Sequence, residues 1–148
     1  MNFFTLIFLR HAESVGNAEG YYQGQKDFPL SKRGENQVKK LIARWKADGT
    51  RIDHVITSPL TRAKQTSQMI CEAFGCRFDE DPDWQERDLG LLTGVKREQA
   101  ETVFPKPDFF TPFDSMGQTG EGNWALYLRA GKALHRVLQR PPARYLIV

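Results

Sequence analysis

The sequence predicts one α/β domain, a three-layer α/β/α sandwich. Three observations predict it. Short apolar runs without alternation, Phe3–Leu9 (FFTLIFL), Asp53–Thr57 (DHVIT) and Tyr145–Val148 (YLIV), have the pattern of strands buried on both faces. Between them lie segments whose apolar residues recur at helical spacing. The chain has 148 residues, 40% hydrophobic and 26% charged, with no repeat or low-complexity stretch, so residues 1–148 form a single domain with one core.

Each element has a local reason. Phe3–Leu9 is rich in strand formers. His11 to Lys26 is polar and carries glycines, which reads as a loop with a short turn of helix. Ser31 caps a helix over Lys32 to Ala47, with Val38, Leu41, Ile42 and Trp45 on one face and Asp48-Gly49 as its stop. After the Asp53–Thr57 strand, Ser58 as N-cap and Pro59 at the first helical position start a second helix. Its buried face is Leu60, Ala63, Ser67, Ile70 and Phe74, and Gly75 closes it. Arg77–Asp79 reads as a short strand, Trp84–Leu92 as extended or looped chain, and Val95–Val103 as a short helix. Phe104–Gly122, with Pro105, Pro107, Pro112 and four phenylalanines, is a long loop of the kind that often forms a lid. Asn123–Arg140 is a third helix with Trp124, Leu128, Gly131, Leu134 and Leu138 as its stripe, ended by Pro141-Pro142. Tyr145–Val148 opens another buried strand. A domain that finishes in the first residues of such a strand is expected to be truncated in its C-terminal part, or to continue beyond Val148.

Composition excludes several classes. The balance of charged and apolar residues is not that of a disordered, collagen-like or disulfide-stapled chain. The net charge is +3, no Lys/Arg run exceeds two residues, and no aromatic–basic interleaving marks a stacking platform. No nucleic-acid partner is therefore expected, while a modest positive excess suits an anionic small molecule. No segment approaches transmembrane length, and Met1–Leu9 reads as a strand without a basic leader, so no membrane association and a cytoplasmic location are expected. Cys71 and Cys76, five apart, read as two reduced thiols; neither their spacing nor a His partner suggests zinc. His54 and His135 read as structural.

In parallel α/β sheets, ligands bind past the carboxyl ends of the strands. The first strand ends in Arg10-His11, and the second leads into Ser58-Pro59-Leu60-Thr61-Arg62. Neighbouring strands would bring Arg10 and Arg62 together on His11. Two guanidiniums match phosphate oxygens bidentately, and a neutral imidazole between them is a nucleophile for phosphorus. Taken singly, each residue has an ordinary structural reading; the combination is more specific.

LRHAES (9–14) followed by SPLTRAKQT (58–66) resembles the histidine phosphatase superfamily, the phosphoglycerate mutase-like proteins, with its Arg-His-Gly and Ser-Pro-Leu-x-Arg-Ala-x-Gln-Thr motifs. Gly20–Gln37, ERDLGLLTG (86–94) and Gly120–Leu134 resemble further segments of that family in the same order. The resemblance implies the phosphoglycerate mutase-like fold. It implies His11 as nucleophile, Arg10 and Arg62 as ligands of the phosphoryl oxygens, and Glu86 as general acid and then base. Asn17, Gln23, Gly24 and Arg87 would contact substrate. Neither a metal nor a cofactor is invoked, because arginines neutralise the phosphate. The expected partner is a small phosphomonoester; the oligomeric state stays open.

Two departures stand out. Ala12 replaces the glycine that usually follows the histidine, tolerable where φ is negative. Family members also carry a second pocket histidine after a strand like YLIV, absent from these 148 residues, which predicts weak catalysis by this chain alone. Three functions follow as expectations. The first is a metal-independent phosphomonoesterase, favoured by YQGQKDFPLS and by a 99–122 stretch with no Arg and one Lys, Lys106. The second is a cofactor-dependent phosphoglycerate mutase, favoured by Glu86-Arg87. The third is a catalytically impaired fragment or a non-enzymatic binding protein of the same fold.

Overall fold

Val55 and Leu146 are fully buried toward one side of a sheet, and Ile56, Tyr145 and Ile147 toward the other. Apolar residues facing both ways require cover on both faces, and the chain supplies it. The structure, a computed structural model, describes residues 4–105 and 107–148. Four parallel strands, β1 (Thr5–Phe8), β2 (His54–Thr57), β3 (Arg77–Glu80) and β4 (Arg144–Ile147), form one sheet in the order β1-β4-β2-β3. Helices α2 (Lys32–Ala47) and α3 (Thr61–Phe74) cover one face, where Val38, Ile70 and Cys71 meet Val55 and Leu146. Helix α5 (Asn123–Leu138) covers the other, with Val137 against Ile56, Tyr145 and Ile147. The expected three-layer α/β/α architecture is what the chain forms. Short helices α1 (Val15–Ala18) and α4 (Arg97–Val103) lie in the connections.

Several local expectations need correction. The first strand is only partly buried on its two faces, with Leu6 packed against one core cluster and Ile7 against the other. It is a sheet edge, so Thr5 and Phe8 are exposed; Phe3 lies outside the described residues. Helix α3 does not start at Ser58-Pro59 but at Thr61, after Leu60. Its cap comes from elsewhere: Asp27 Oδ1 accepts from the Thr61 amide at 2.7 Å, and Asp27 Oδ2 from the Thr61 hydroxyl. A carboxylate at a helix N-terminus replaces the local serine. The segment read as loop over Trp84–Leu92 borders a 3-10 turn at Pro82–Trp84 and contains another at Gly90–Leu92. The stripe expected on α5 is not its buried face: Trp124, Leu128, Gly131 and Leu138 are exposed and Leu134 only partly buried, whereas Ala133 and Val137, on a neighbouring face, are the buried residues. In the long loop, Phe109 and Phe113 are 80% and 73% exposed, so they are not core residues. Lys106 lies outside the described residues. Among the described residues no helix is long and apolar enough to cross a membrane.

Candidate active site

β1 and β2 are not neighbours, because β4 runs between them. The expected convergence of their ends nevertheless occurs. Arg62, in the first turn of α3, places Nε 3.2 Å from Nε2 of His11, three residues past β1. The imidazole protonation follows from its partners. Nδ1 lies 2.7 Å from the Ala12 carbonyl oxygen, an acceptor only, so Nδ1 carries the proton. Arg62 offers only donors, so Nε2 presents its lone pair. Burial holds the His11 pKa below the ordinary histidine value, and the Arg62 and Arg10 charges push it the same way; the Ala12 bond and the Glu86 charge oppose this. The result is a neutral imidazole with its lone-pair nitrogen against a guanidinium.

Arg62 is 1% exposed, and its fork is held by backbone. Nη1 donates to Lys26 O at 2.9 Å and Nη2 to Gly24 O at 2.8 Å. Carbonyls orient the guanidinium without neutralising it, so its charge remains available to an anion. The loop that supplies them is itself pinned. Asp27 caps α3 as described. Gly24 sits at φ +50°, where a Cβ would meet Thr93 Oγ1 and the Leu89 side chain. Along α3, Gln65 Oε1 accepts from Leu30 N at 2.7 Å and Thr66 Oγ1 from Ala12 N at 3.3 Å. One polar face of the helix, Arg62, Gln65 and Thr66, therefore fixes the whole segment from Ala12 to Leu30. Gly34 completes the fit: a Cβ there would fall 2.0 Å from Glu13 O. Ala12 has no positive φ; among the described non-glycine residues only Gln118 does.

Arg10 is exposed and makes no side-chain hydrogen bond or ion pair among the described residues; its charge acts on His11. Glu86 is exposed and approaches from the segment after β3. Its Oε1 accepts from Arg87 N at 2.8 Å, and its charge is felt at His11 and Arg62. Arg87 is half-buried beside it, close enough to lower the Glu121 pKa.

The other expected contact residues sit one layer back. Asn17 closes a capping box with Ser14, its Oδ1 accepting from Ser14 N at 3.1 Å. Gln23 is buried, with Oε1 accepting from the Ser14 hydroxyl. Gly24 contributes its carbonyl to Arg62.

Two residues with no role assigned from sequence organise the Glu86 segment. Arg129 on α5 donates from Nε and Nη2 to Glu121 at 2.8 and 2.6 Å, and from Nη1 to the carbonyls of Asp83 and Gln85 at 2.8 and 2.9 Å. Glu121 N donates to Asp88 O at 2.8 Å. The pair thus grips the chain on both sides of Glu86. Arg129 holds the Glu121 carboxyl below the usual carboxylate range. The only sequence signal for it is one acid just before a helix and one arginine two turns along it.

Architecture and centre together define a class: a parallel α/β/α protein with a histidine–arginine pair at the carboxyl ends of its strands. The family follows from the chain itself. It belongs to the histidine phosphatase superfamily (branch 1), whose family model matches residues 6–148. Among curated relatives, a probable phosphoglycerate mutase GpmB of Cronobacter sakazakii is 35% identical over 141 residues, 90% of this chain and 63% of that protein. The namesake from Serratia proteamaculans is 43% identical over 84 residues, 57% of this chain and 38% of that one. The chain thus spans less than two thirds of the length of these relatives. Among solved structures, Bacillus stearothermophilus YhfR superposes with a TM-score of 0.83 at 26% identity, covering 98% of this chain and 73% of that one. A putative alpha-ribazole-5'-P phosphatase from Escherichia coli gives 0.83 at 22% identity, covering 99% and 73%, a likeness of fold.

Proposed function

We propose that the protein hydrolyses phosphomonoesters through a phosphohistidine on His11, without a metal ion. The observation that carries this reading is the 3.2 Å contact between the lone-pair nitrogen of His11 and the buried guanidinium of Arg62, which forms no salt bridge among the described residues. A phosphoryl group entering there meets a neutral nucleophile and fixed positive charge. Nε2 attacks phosphorus, and the ester oxygen leaves with the proton of Glu86. Water then gives its proton to Glu86 and attacks the phosphohistidine, releasing phosphate and the neutral imidazole. Arg10, at the exposed mouth, takes the remaining oxygens. Neutralising a leaving alkoxide in this way is worth ~10²–10⁴-fold.

Hydrolysis is favoured over mutase chemistry by the lid. The described part of the long loop borders a concavity of about 860 Å³ lined in part by Leu92, Phe104, Phe109, Phe110, Phe113 and Met116. That is a poor surface for a second phosphate and a fair one for an apolar substrate body. The competing reading is a phosphoglycerate mutase, supported by the Glu86-Arg87 pair and by the names of the curated relatives. The test is turnover of an aryl phosphate in chelator, with quench-flow detection of base-stable, acid-labile phosphate on the protein. The reading expects label on His11 that decays to free phosphate, and none in His11→Ala. Label that passes only to a phosphoglycerate would favour the mutase. Equal turnover by His11→Ala would overturn both.

A further inference from the structure

The two cysteines lie far along α3 from Arg62, and neither takes part in the chemistry above. Cys71 is in the last turn of α3. Gly75 then turns the chain through the left-handed region at φ +67°, and Cys76 N donates back to Cys71 O at 3.2 Å. This turn reverses the backbone and stacks the two side chains. Their sulfurs are 3.1 Å apart, with the Cys76 thiol donating to Cys71 Sγ. A disulfide needs ~2.05 Å between sulfurs, so closing the bond asks for about 1 Å of movement.

The two thiols differ in access. Cys71 is buried in the α2–α3 core, whereas Cys76 is half-buried. Both border a surface cavity of about 410 Å³ with Gln68, Glu72, Arg77 and Phe78. The geometry points to a reversible modification site: Cys71 and Cys76 form an intramolecular disulfide by exchange with a low-molecular-weight disulfide that enters this cavity. The order of steps follows from access. The Cys76 thiolate attacks one sulfur of the small disulfide, forming a mixed disulfide and releasing one small thiolate. Cys71 then gives up its proton and attacks Cys76 Sγ, forming the protein disulfide and releasing the second small thiol. Two electrons pass from the protein thiols to the small disulfide, which leaves as two thiols. Burial and the nearby Cys76 and Glu72 push the Cys71 thiol pKa up, which keeps its thiolate fraction low and leaves the first attack to the more accessible Cys76.

Fully reduced protein is incubated with oxidised glutathione at mildly alkaline pH under native conditions, and intact mass is followed. Wild type is expected to lose two hydrogens with no lasting adduct, and to recover them with a reductant. Cys71→Ser is expected to hold one glutathione on Cys76, and Cys76→Ser to stay largely unmodified. Peptide mapping after alkylation identifies the linked pair, and Cys71→Ala replaces Cys71→Ser if the serine variant does not fold by circular dichroism. Wild type that stays reduced, carries a persistent adduct, or links only between molecules would overturn the proposal. The readout is independent of catalysis, so the result stands whatever His11 does.

Discussion

The His11 side and the Glu86 side of the site, the nucleophile and acid sides of the mechanism proposed above, are built differently. Around His11 and Arg62 several independent constraints converge: two backbone carbonyls orient the guanidinium, the buried Thr66 side chain holds the His11 loop, and the exposed Asp27 carboxylate caps the helix. Around Glu86 the carboxylate is exposed, and one ion pair, Arg129–Glu121, grips its flanking chain. The phosphate end of the reaction, common to all phosphomonoesters, gets the rigid half. In the proposed reaction the leaving-group end, which varies with substrate, gets the half tied to the long loop through Glu121.

The largest effect that sharpens this contrast is expected at Arg62. Arg62→Met removes a phosphate donor and leaves Gly24 O, Lys26 O and His11 Nε2 unpaired. We expect ~10³-fold loss in kcat/KM and destabilisation of about 1–3 kcal/mol, the cost of leaving buried neutral acceptors without partners. Arg62→Lys keeps the charge but not the fork, and should fall between wild type and Arg62→Met in both. Chemical denaturation and aryl phosphate turnover check this; a Met variant as stable as wild type would break the claim of a preorganised half.

Glu86→Gln comes next and should behave oppositely. It touches little structure, so stability should stay within about 0.5 kcal/mol. Turnover of an alkyl phosphate should fall ~10²-fold or more, while an aryl phosphate with a good leaving group loses far less, because it needs no proton. A loss independent of the leaving group would remove Glu86 from the acid role.

How much of this was legible in the sequence divides along the same line. Strands and helices announced themselves through apolar runs and periodicity, but the edge position of β1 depends on which strand lies beside it, which no local pattern encodes. His11, Arg10 and Arg62 stood out as charged residues at strand ends. The partners of Arg62 did not, since Gly24 and Lys26 contribute only carbonyls, identical in every residue type. Asn17 and Gln23 were legible as polar loop residues. Their bonding to Ser14 was not, because it depends on α1 folding back onto the loop.

The Arg129–Glu121 pair tests whether the acid side is positioned by one contact. Its two side chains are 18% and 13% exposed, so breaking it costs less than a fully buried pair, about 1–3 kcal/mol. If it positions Glu86, Arg129→Gln should lower kcat ~10-fold on alkyl phosphate and much less on an activated aryl phosphate, copying the leaving-group signature of Glu86→Gln. A uniform loss on both substrates would make the pair purely structural.

The smallest effects are in pH, and the two halves should titrate separately. His11 has a folded pKa below its unfolded value, so the unfolded state takes up the proton first. Stability should therefore begin to fall as pH drops through about 6.5 and level off below the folded pKa. Glu121 also has a lowered folded pKa, but as a carboxylate its contribution is complete above the ordinary range near 4.5 and is lost as pH falls through the folded value. Urea midpoints measured against pH should show two acid limbs. His11→Gln, which cannot titrate, should erase the upper one, and Glu121→Gln should shrink the lower, to which Asp53, Asp79 and Asp114 also contribute. If either variant removed both limbs, the halves would be one coupled unit, and the division between a rigid phosphate cradle and an adjustable acid arm would not hold.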